Sequence, residues 1–301
     1  MPTPPLTIVL PAKNETGALA TLASKLSTAY PEAEILVIDD GSTDTTAQTA
    51  TAAGLTVHSH PYSMGNGAAI KTGARLARGE TLVFMDADGQ HDVADIARLL
   101  ERMAAGFDMV IGARSDSRSH ASAGRFLANG VYNRLASWMV NRRIPDLTSG
   151  LRAVRTHLFR EFLHLLPNGF SYPTTITMAF FRAGYAVDYV PINAGKRIGQ
   201  SHIRPLRDGL RFLIIIFKVA TLYSPMKVFL PISSGFFAIG LAYYVYTFIY
   251  MHSFTNMSAL LFTTAVVVFL IGLVSEQITQ LMYQPSDYRM LNANTRQPPD
   301  D

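Results

Sequence analysis

The sequence predicts an α/β domain, a mostly parallel sheet between layers of helices, followed by an interfacial helix and two transmembrane helices. Three observations carry that prediction. Short β-rich apolar runs alternate with stretches of helical periodicity from Leu6 to about Val190. Such alternation marks strands buried on both faces and crossed over by helices. Only 16% of the 301 residues are charged while 49% are hydrophobic, against roughly 25% charged in a soluble domain. The deficit falls in the last third, where Phe229 to Met251 has no charged residue and a second apolar run covers Ala259 to Val274.

In chain order, Leu6–Leu10, Ile35–Asp39, Leu82–Asp86 and Met109–Ala113 read as buried strands. Thr16–Ala29, Thr45–Ala53, Gly67–Ala77 and Val93–Ala105 read as amphipathic helices. The start of the chain offers only the short apolar stretch Leu6–Leu10 rather than a basic segment followed by a longer apolar one, so the N-terminal part is expected to stay in the cytosol. Residues 1–200 form the expected α/β domain. Pro205–Tyr223 is helical in spacing, with Arg207, Arg211 and Lys218 on one side and a wholly apolar Phe212–Phe217; residues 201–225 are therefore expected to lie in a membrane interface. Residues 226–283 form the expected hairpin, with spans at Phe229–Met251 and Ser258–Ile278, each near the ~20 residues that a bilayer requires. Basic residues precede the first span and follow the second, and the link His252–Met257 has none, which puts both termini on the cytoplasmic side. Glu276 is expected to find an interfacial or inter-helix partner. The tail, 284–301, is polar.

Composition also excludes several classes. The absence of cysteine removes disulfide-stapled folds and thiolate zinc sites, and fits a reducing compartment. A net charge of +4 is modest, and the basic residues flank the spans rather than tiling a domain face, which argues against nucleic acid as a partner.

In open parallel sheets ligands sit beyond the carboxyl ends of the strands. Those ends carry Pro11-Ala12-Lys13-Asn14-Glu15, Asp39-Asp40-Gly41-Ser42 and Asp86-Ala87-Asp88-Gly89-Gln90. Asp86 and Asp88, two apart past a strand end, can aim both carboxylates at one hard divalent cation, with Gln90 adding a carbonyl oxygen. Asp40 is the expected ligand for a nucleotide's ribose or base, with Ser42 to Asp44 as helix-capping material. Asp92, followed by Asp95, reads as a helix cap. Gly65-Asn66-Gly67 lacks the spacing of a dinucleotide fingerprint. His91 is equally suited to a loop hydrogen bond and to a substrate contact.

Taken in order, these motifs, together with Gly112-Ala113-Arg114, Asp146-Leu147-Thr148-Ser149-Gly150-Leu151-Arg152 and Arg197-Ile198-Gly199-Gln200-Ser201, resemble family 2 glycosyltransferases. The resemblance is strongest to the polyprenyl-phosphate (dolichol-phosphate mannose synthase-like) branch with a two-span C-terminal hairpin, and it covers essentially the whole chain. It implies a GT-A domain holding a nucleoside-diphosphate sugar, Mg²⁺ or Mn²⁺, and inverting transfer of one sugar to a polyprenyl phosphate of undecaprenyl type at the cytoplasmic membrane. By motif, Pro11, Lys13, Glu15 and Asp40 contact the nucleoside. Lys71, Asp86, Ala87, Ser201 and His202 complete the donor site, with Asp86, Asp88 and Gln90 at the metal and Arg197 on the donor phosphates. Arg114, Arg125 and Asn129 hold the acceptor phosphate. Asp88, Arg114, Arg125 and Arg197 are the residues expected to carry catalysis.

Three positions depart from the family pattern. His202 stands where Lys is usual, Lys13 where Tyr is common, and Ser171-Tyr172-Pro173-Thr174-Thr175-Ile176 where many relatives carry an acid. The last departure fits an acceptor that is already an anion and needs no base. A processive polysaccharide synthase is disfavoured because Trp138, the only tryptophan, follows Ala136-Ser137 rather than completing Gln-x-x-Arg-Trp. A silent scaffold has no use for a metal pair and two anion sites. Related two-span enzymes suggest a homo-oligomer, such as a tetramer, packed through Gly235, Ala238 and Gly240.

Overall fold

The computed structural model describes residues 5–114, 123–169, 172–193 and 221–282. They divide into two units, an α/β domain and a helical unit formed by residues 136–142 with the C-terminal hairpin.

The α/β domain is built on one seven-stranded sheet in the order β3-β2-β1-β4-β6-β5-β7. Its strands are β1 (Leu6–Ala12), β2 (Glu34–Asp39), β3 (Thr56–Ser59), β4 (Thr81–Phe84), β5 (Met109–Arg114), β6 (Arg152–Arg155) and β7 (Val187–Ile192). The helices are α1 (Thr16–Ala29), α2 (Thr46–Ala52), α3 (Asn66–Leu76), α4 (Ala94–Ala104), α5 (Ala123–Val140), α6 (Thr156–Glu161) and α7 (Tyr172–Arg182). Four expected strands and four expected helices thus appear with ends shifted by a residue or two; β4 stops at Phe84, so Asp86 lies past the strand.

Alternation along β1 shows why the sheet is buried on both faces. Ile8 and Leu10 join Leu19, Leu22 and Leu26 of α1 and Ile96, Leu99 and Met103 of α4 in one core cluster. Val9 points the other way, where α3 lies so close that a Cβ on Gly73 would stand 2.3 Å from Val9 Cγ1. Burying aliphatic side chains on both faces supplies the main stabilising term, about 1.5–3 kcal/mol for each.

Six of the seven strands run in one direction, and β6 is antiparallel to both its neighbours, β4 and β5. That reversal positions the site. A parallel strand brings the loop that follows it to the carboxyl edge, whereas an antiparallel strand brings the loop that precedes it. With Arg152 paired across Phe84 and Ile111, the 145–151 loop therefore arrives beside the ends of β4 and β5.

In the helical unit, α8 (Pro225–Met251) and α9 (Asn256–Met282) have 27 residues each, about 40 Å at 1.5 Å per residue, long and apolar enough to cross a membrane. Their outward faces expose large apolar side chains such as Phe237, Ile239, Val266 and Leu270. The inward face is small and repeats every seven residues: Ser233, Gly240 and Thr247 on α8, Ser258, Ala265, Gly272 and Thr279 on α9. Ser233 Oγ donates to the Ala265 carbonyl at 2.8 Å. Gly240 faces Leu261 and Phe262 within the hairpin, and a Cβ on Gly235 would meet nothing within 4 Å among the described residues. Glu276 Oε2 accepts the Met226 N–H at 3.4 Å, the inter-helix partner expected. Lys227 donates to the carbonyls of Trp138 and Met139 at the end of α5, at 2.8 and 3.0 Å, neutralising the negative pole of that helix. The expected interfacial segment and the tail lie outside the described residues, apart from residues 221–225 of the former.

Candidate active site

Two loops at the carboxyl edge are laced together before any ligand is considered. Asn14, in a left-handed conformation at φ 56°, donates its N–H to Ser42 Oγ at 3.0 Å and accepts the Thr43 N–H at 2.9 Å on its side chain. Asp44 accepts the Thr46 N–H at 3.0 Å and the Thr16 hydroxyl at 2.7 Å, the capping role expected. Asp92 accepts the Ala94 N–H at 3.0 Å as the chain turns into α4.

Asp40 is not the open ligand the sequence suggested. Its carboxylate accepts from His60 Nδ1 at 2.8 Å, the Ser63 hydroxyl at 2.8 Å, the Met64 N–H at 2.8 Å and the Gly65 N–H at 2.9 Å. Burial pushes this carboxyl up, but the four hydrogen bonds outweigh burial and hold it below its ordinary range. Asp40 therefore organises the 60–65 loop, and His60 passes the link on to Thr72 Oγ1 at 3.0 Å. Neighbouring Asp39 has one oxygen on the Ser42 N–H at 3.0 Å and the other without a hydrogen-bond partner among the described residues. Lys13 donates to Ser63 Oγ at 2.8 Å, closing the same loop against β1. Pro11 and Glu15 flank this cleft at the end of β1 and the cap of α1.

Lys71 is also otherwise engaged. Its ammonium donates to the Leu166 carbonyl at 3.1 Å and to Asn168 Oδ1, and burial lowers its affinity for the proton, helped by nearby Arg75. The Asn168 carbonyl in turn accepts the Ala68 N–H at 3.2 Å, so the first turn of α3 is already capped by protein. Gly65 and Gly67 are required there because a Cβ would meet the Asn168 and Pro167 carbonyls at 2.4 and 2.1 Å. Close backbone approach explains the glycines of this turn.

The remaining edge is formed by the residues that follow β4. The Asp86 carboxylate makes no hydrogen bond among the described residues, and His91 Nε2 lies 3.9 Å from its Oδ2. Asp88 Oδ1 accepts the Gln90 N–H at 3.1 Å, and Ala87 between the two acids is buried. His91 is itself buried, and its Nδ1 has no hydrogen-bond partner among the described residues. Gly150 backs Asp86 so tightly that a Cβ would stand 2.3 Å from Oδ2. No group of three or more His, Cys, Asp or Glu side chains is gathered around one point among the described residues. Asp86 and Asp88, two residues apart past the end of β4, offer hard carboxylate oxygens of the kind that suits Mg²⁺ or Mn²⁺.

Arg114, at the end of β5, lies against Asp146. Its Nε reaches Asp146 Oδ2 at 2.7 Å and its Nη2 reaches Oδ1 at 2.9 Å and Thr148 Oγ1 at 2.7 Å. This bidentate pair fixes the guanidinium and leaves Nη1 as its unengaged edge among the described residues. The hydrogen bonds to Asp146 raise the Arg114 pKa further against burial. For Asp146 burial acts upward, but Arg114 outweighs it and the carboxyl lies below its usual range. Arg125 and Asn129 lie on α5, and their side chains fall outside the described residues, as do Arg197, Ser201 and His202. Asp39, Asp146, Thr148 and Gly150 are the site residues that reading by motif left unassigned. The strand-end position of Asp39 and the Asp146–Arg152 motif itself were the available signals.

Fold and sheet topology together define a GT-A-like α/β domain. The glycosyl transferase family 2 model matches residues 7–163, and the GtrB C-terminal hairpin model matches residues 224–281. The chain belongs to glycosyl transferase family 2 and is a glycosyltransferase. It is 30% identical over 234 residues to a polyprenol monophosphomannose synthase of Mycolicibacterium smegmatis, covering 73% of this chain and 87% of the relative. It is 31% identical over 212 residues to an undecaprenyl-phosphate mannosyltransferase of Micrococcus luteus, covering 64% of this chain and 85% of that one. Among solved structures, glucosyl-3-phosphoglycerate synthase of Mycobacterium tuberculosis in complex with Mn²⁺, uridine diphosphate and glucosyl-3-phosphoglycerate superposes with a TM-score of 0.55 at 23% identity, covering 71% of this chain and 77% of that one. At that identity the likeness establishes the GT-A-like fold alone.

Proposed function

We propose that the protein transfers a single sugar, with inversion, from a nucleoside-diphosphate sugar to a polyprenyl phosphate at the cytoplasmic face of a membrane. The observation that carries this reading is the presence in one chain of the Asp86-Ala87-Asp88 acids just past the end of β4 and a family-typical apolar hairpin matched over residues 224–281. The relatives named for polyprenol and undecaprenyl-phosphate mannosyl transfer support the lipid phosphate as acceptor. The basic residues before α8 and after α9 support a cytoplasmic site and cytoplasmic termini.

In this reading Pro11, Lys13, Glu15 and Asp39 line the nucleoside cleft, while Asp40 keeps its fourth wall in place. Asp86 and Asp88, with Gln90 beside them, hold a divalent cation, which when bound neutralises charge on the leaving diphosphate. The unengaged edge of Arg114 faces the acceptor phosphate, aided by Arg125 and Asn129 on α5. Arg197, Ser201 and His202 serve the donor phosphates. An acceptor phosphate oxygen forms the new bond to the anomeric carbon from behind, and the bond to the nucleoside diphosphate breaks with its electron pair leaving on the diphosphate. No proton has to be removed, because a phosphate monoester is already an anion at neutral pH. Thr174 and Thr175, in the place where many relatives carry an acid, are compatible with that chemistry. Catalysis then rests on alignment and on stabilising the leaving charge.

The double variant Asp86→Ala/Asp88→Ala tests the site. Transfer from UDP- or GDP-sugars in the presence of Mn²⁺ should fall at least ~100-fold. Unchanged turnover would remove these two carboxylates from the reaction.

A further inference from the structure

Arg152 opens β6 with a side chain that is 0% exposed. A buried guanidinium is stable only when its charge is balanced and its donors are used. Among the described residues no carboxylate lies within ion-pair distance. Its Nη2 donates to the Ser149 carbonyl at 2.5 Å, and its Nη1 to the Pro173 carbonyl at 3.2 Å and to Thr177 Oγ1 at 3.4 Å. The Tyr172 ring centroid is 5.5 Å from its Cζ. Burial lowers its pKa, and Tyr172, Tyr189, Asp146 and Asp86 oppose that shift.

The surroundings are polar where the core elsewhere is aliphatic. Five buried side-chain N or O atoms lack a hydrogen-bond partner among the described residues. Four of them belong to this neighbourhood: Arg152 Nε, Ser149 Oγ and the hydroxyls of Tyr172 and Tyr189. Tyr189 stands in the same row of the sheet, since Ile111 is opposite both Arg152 and Tyr189. Such a chamber is costly beside packed Leu or Met, so its retention calls for a reason other than stability.

The chain supplies one. Ser149 lies between Asp146, which aims Arg114, and Gly150, which backs Asp86. Drawing the Ser149 carbonyl inward fixes both neighbours at once, and the bonds to Pro173 and Thr177 tie them to the first two turns of α7. We infer that Arg152 is a positioning residue that holds the Asp86 carboxylate and the Arg114–Asp146 pair in one register, coupling the donor-phosphate and acceptor-phosphate sides of the site. The inference rests on the function proposed above for what is coupled.

Arg152→Lys keeps the charge and loses the fork. In the purified full-length protein, hydrogen exchange should quicken about tenfold or more in residues 146–151 and 85–90 and stay unchanged in 12–15 and 39–44. Exchange that is unchanged throughout, or that rises evenly across the sheet as a merely structural role predicts, overturns the inference. The kcat for transfer should fall about 10–100-fold. In a double-mutant cycle with Asp146→Asn, the combined loss should equal the larger single loss rather than the product of the two; a full product overturns the coupling. Should Arg152→Lys not accumulate as folded protein, Thr177→Val, which removes one acceptor of the fork, is read by the same pattern at smaller amplitude. Absence of transfer by the wild-type protein would refute the proposed function, while the exchange pattern still decides the role of Arg152.

Discussion

Gly150 is where the packing of the site is least forgiving. A Cβ at this position would lie 2.3 Å from Asp86 Oδ2, 2.9 Å from Cγ and 3.1 Å from Oδ1. The nearest approach is about 0.7 Å short of the 3.0 Å that real Cβ atoms keep, so Gly150→Ala must displace either the carboxylate or the loop. The Asp86 side chain is 36% exposed and has room to swing outward. The stability cost should therefore sit at the low end of overpacking, about 1 kcal/mol. The catalytic cost should be larger, because a displacement approaching 1 Å at a positioned group lowers rate by about 100-fold. The assay compares kcat and the Mn²⁺ concentration for half-activation in wild type and Gly150→Ala, alongside thermal unfolding. Gly17→Ala serves as the control, since nothing lies within 4 Å of a Cβ there. A Gly150→Ala enzyme that unfolds earlier but keeps wild-type kcat and metal dependence would refute the placement of Asp86 in the metal site.

Asp146→Asn should destabilise by about 2 kcal/mol, less than the 3–5 kcal/mol of a fully buried pair because the Arg114 side chain is 40% exposed. Since Asp146 has a lowered pKa when folded, its contribution is present above the ordinary carboxylate range and is lost as pH falls through the lowered value. The difference in melting temperature between wild type and variant should therefore narrow below about pH 4; a gap independent of pH would contradict the pairing. Asp39→Asn should weaken binding of nucleoside diphosphate by calorimetry at unchanged stability, whereas Asp40→Asn should cost about 2 kcal/mol through its four donors. Equal effects on binding and stability from both would erase that distinction. In the hairpin, Gly272→Ala should lower thermal stability and Gly235→Ala should not, since a Cβ on Gly272 meets Phe229 Cβ at 2.6 Å and one on Gly235 meets nothing.

Much of the sheet was legible because β1, β2, β4 and β5 are buried on both faces and read as continuous apolar runs. The strands that escaped naming have physical reasons to do so. β3 is a four-residue edge with mostly exposed side chains, and β6 carries arginine at both ends of four residues. The reversed direction of β6 is a tertiary fact that no local pattern encodes, although it delivers the Asp146–Gly150 loop to the site. That Asp86 and Asp88 follow the end of β4 was readable from the apolar run before them. That Asp40 is saturated was not, since its partner His60 lies 20 residues on. Lys71 braces a carbonyl 95 residues away, a contact invisible to motif reading. The hairpin was legible from composition, but the seven-residue small face that closes it emerged only with the register of α8 and α9.

The central claim is the transfer itself. Purified full-length protein would be incubated with Mn²⁺, a short-chain polyprenyl phosphate and radiolabelled UDP- or GDP-sugars, and label extracted into the organic phase would be counted. The account predicts a labelled lipid phosphodiester from one donor, abolished by chelator and restored by added Mn²⁺. Folded protein that gives no labelled lipid from any donor, or that gives it undiminished in excess chelator, would contradict it.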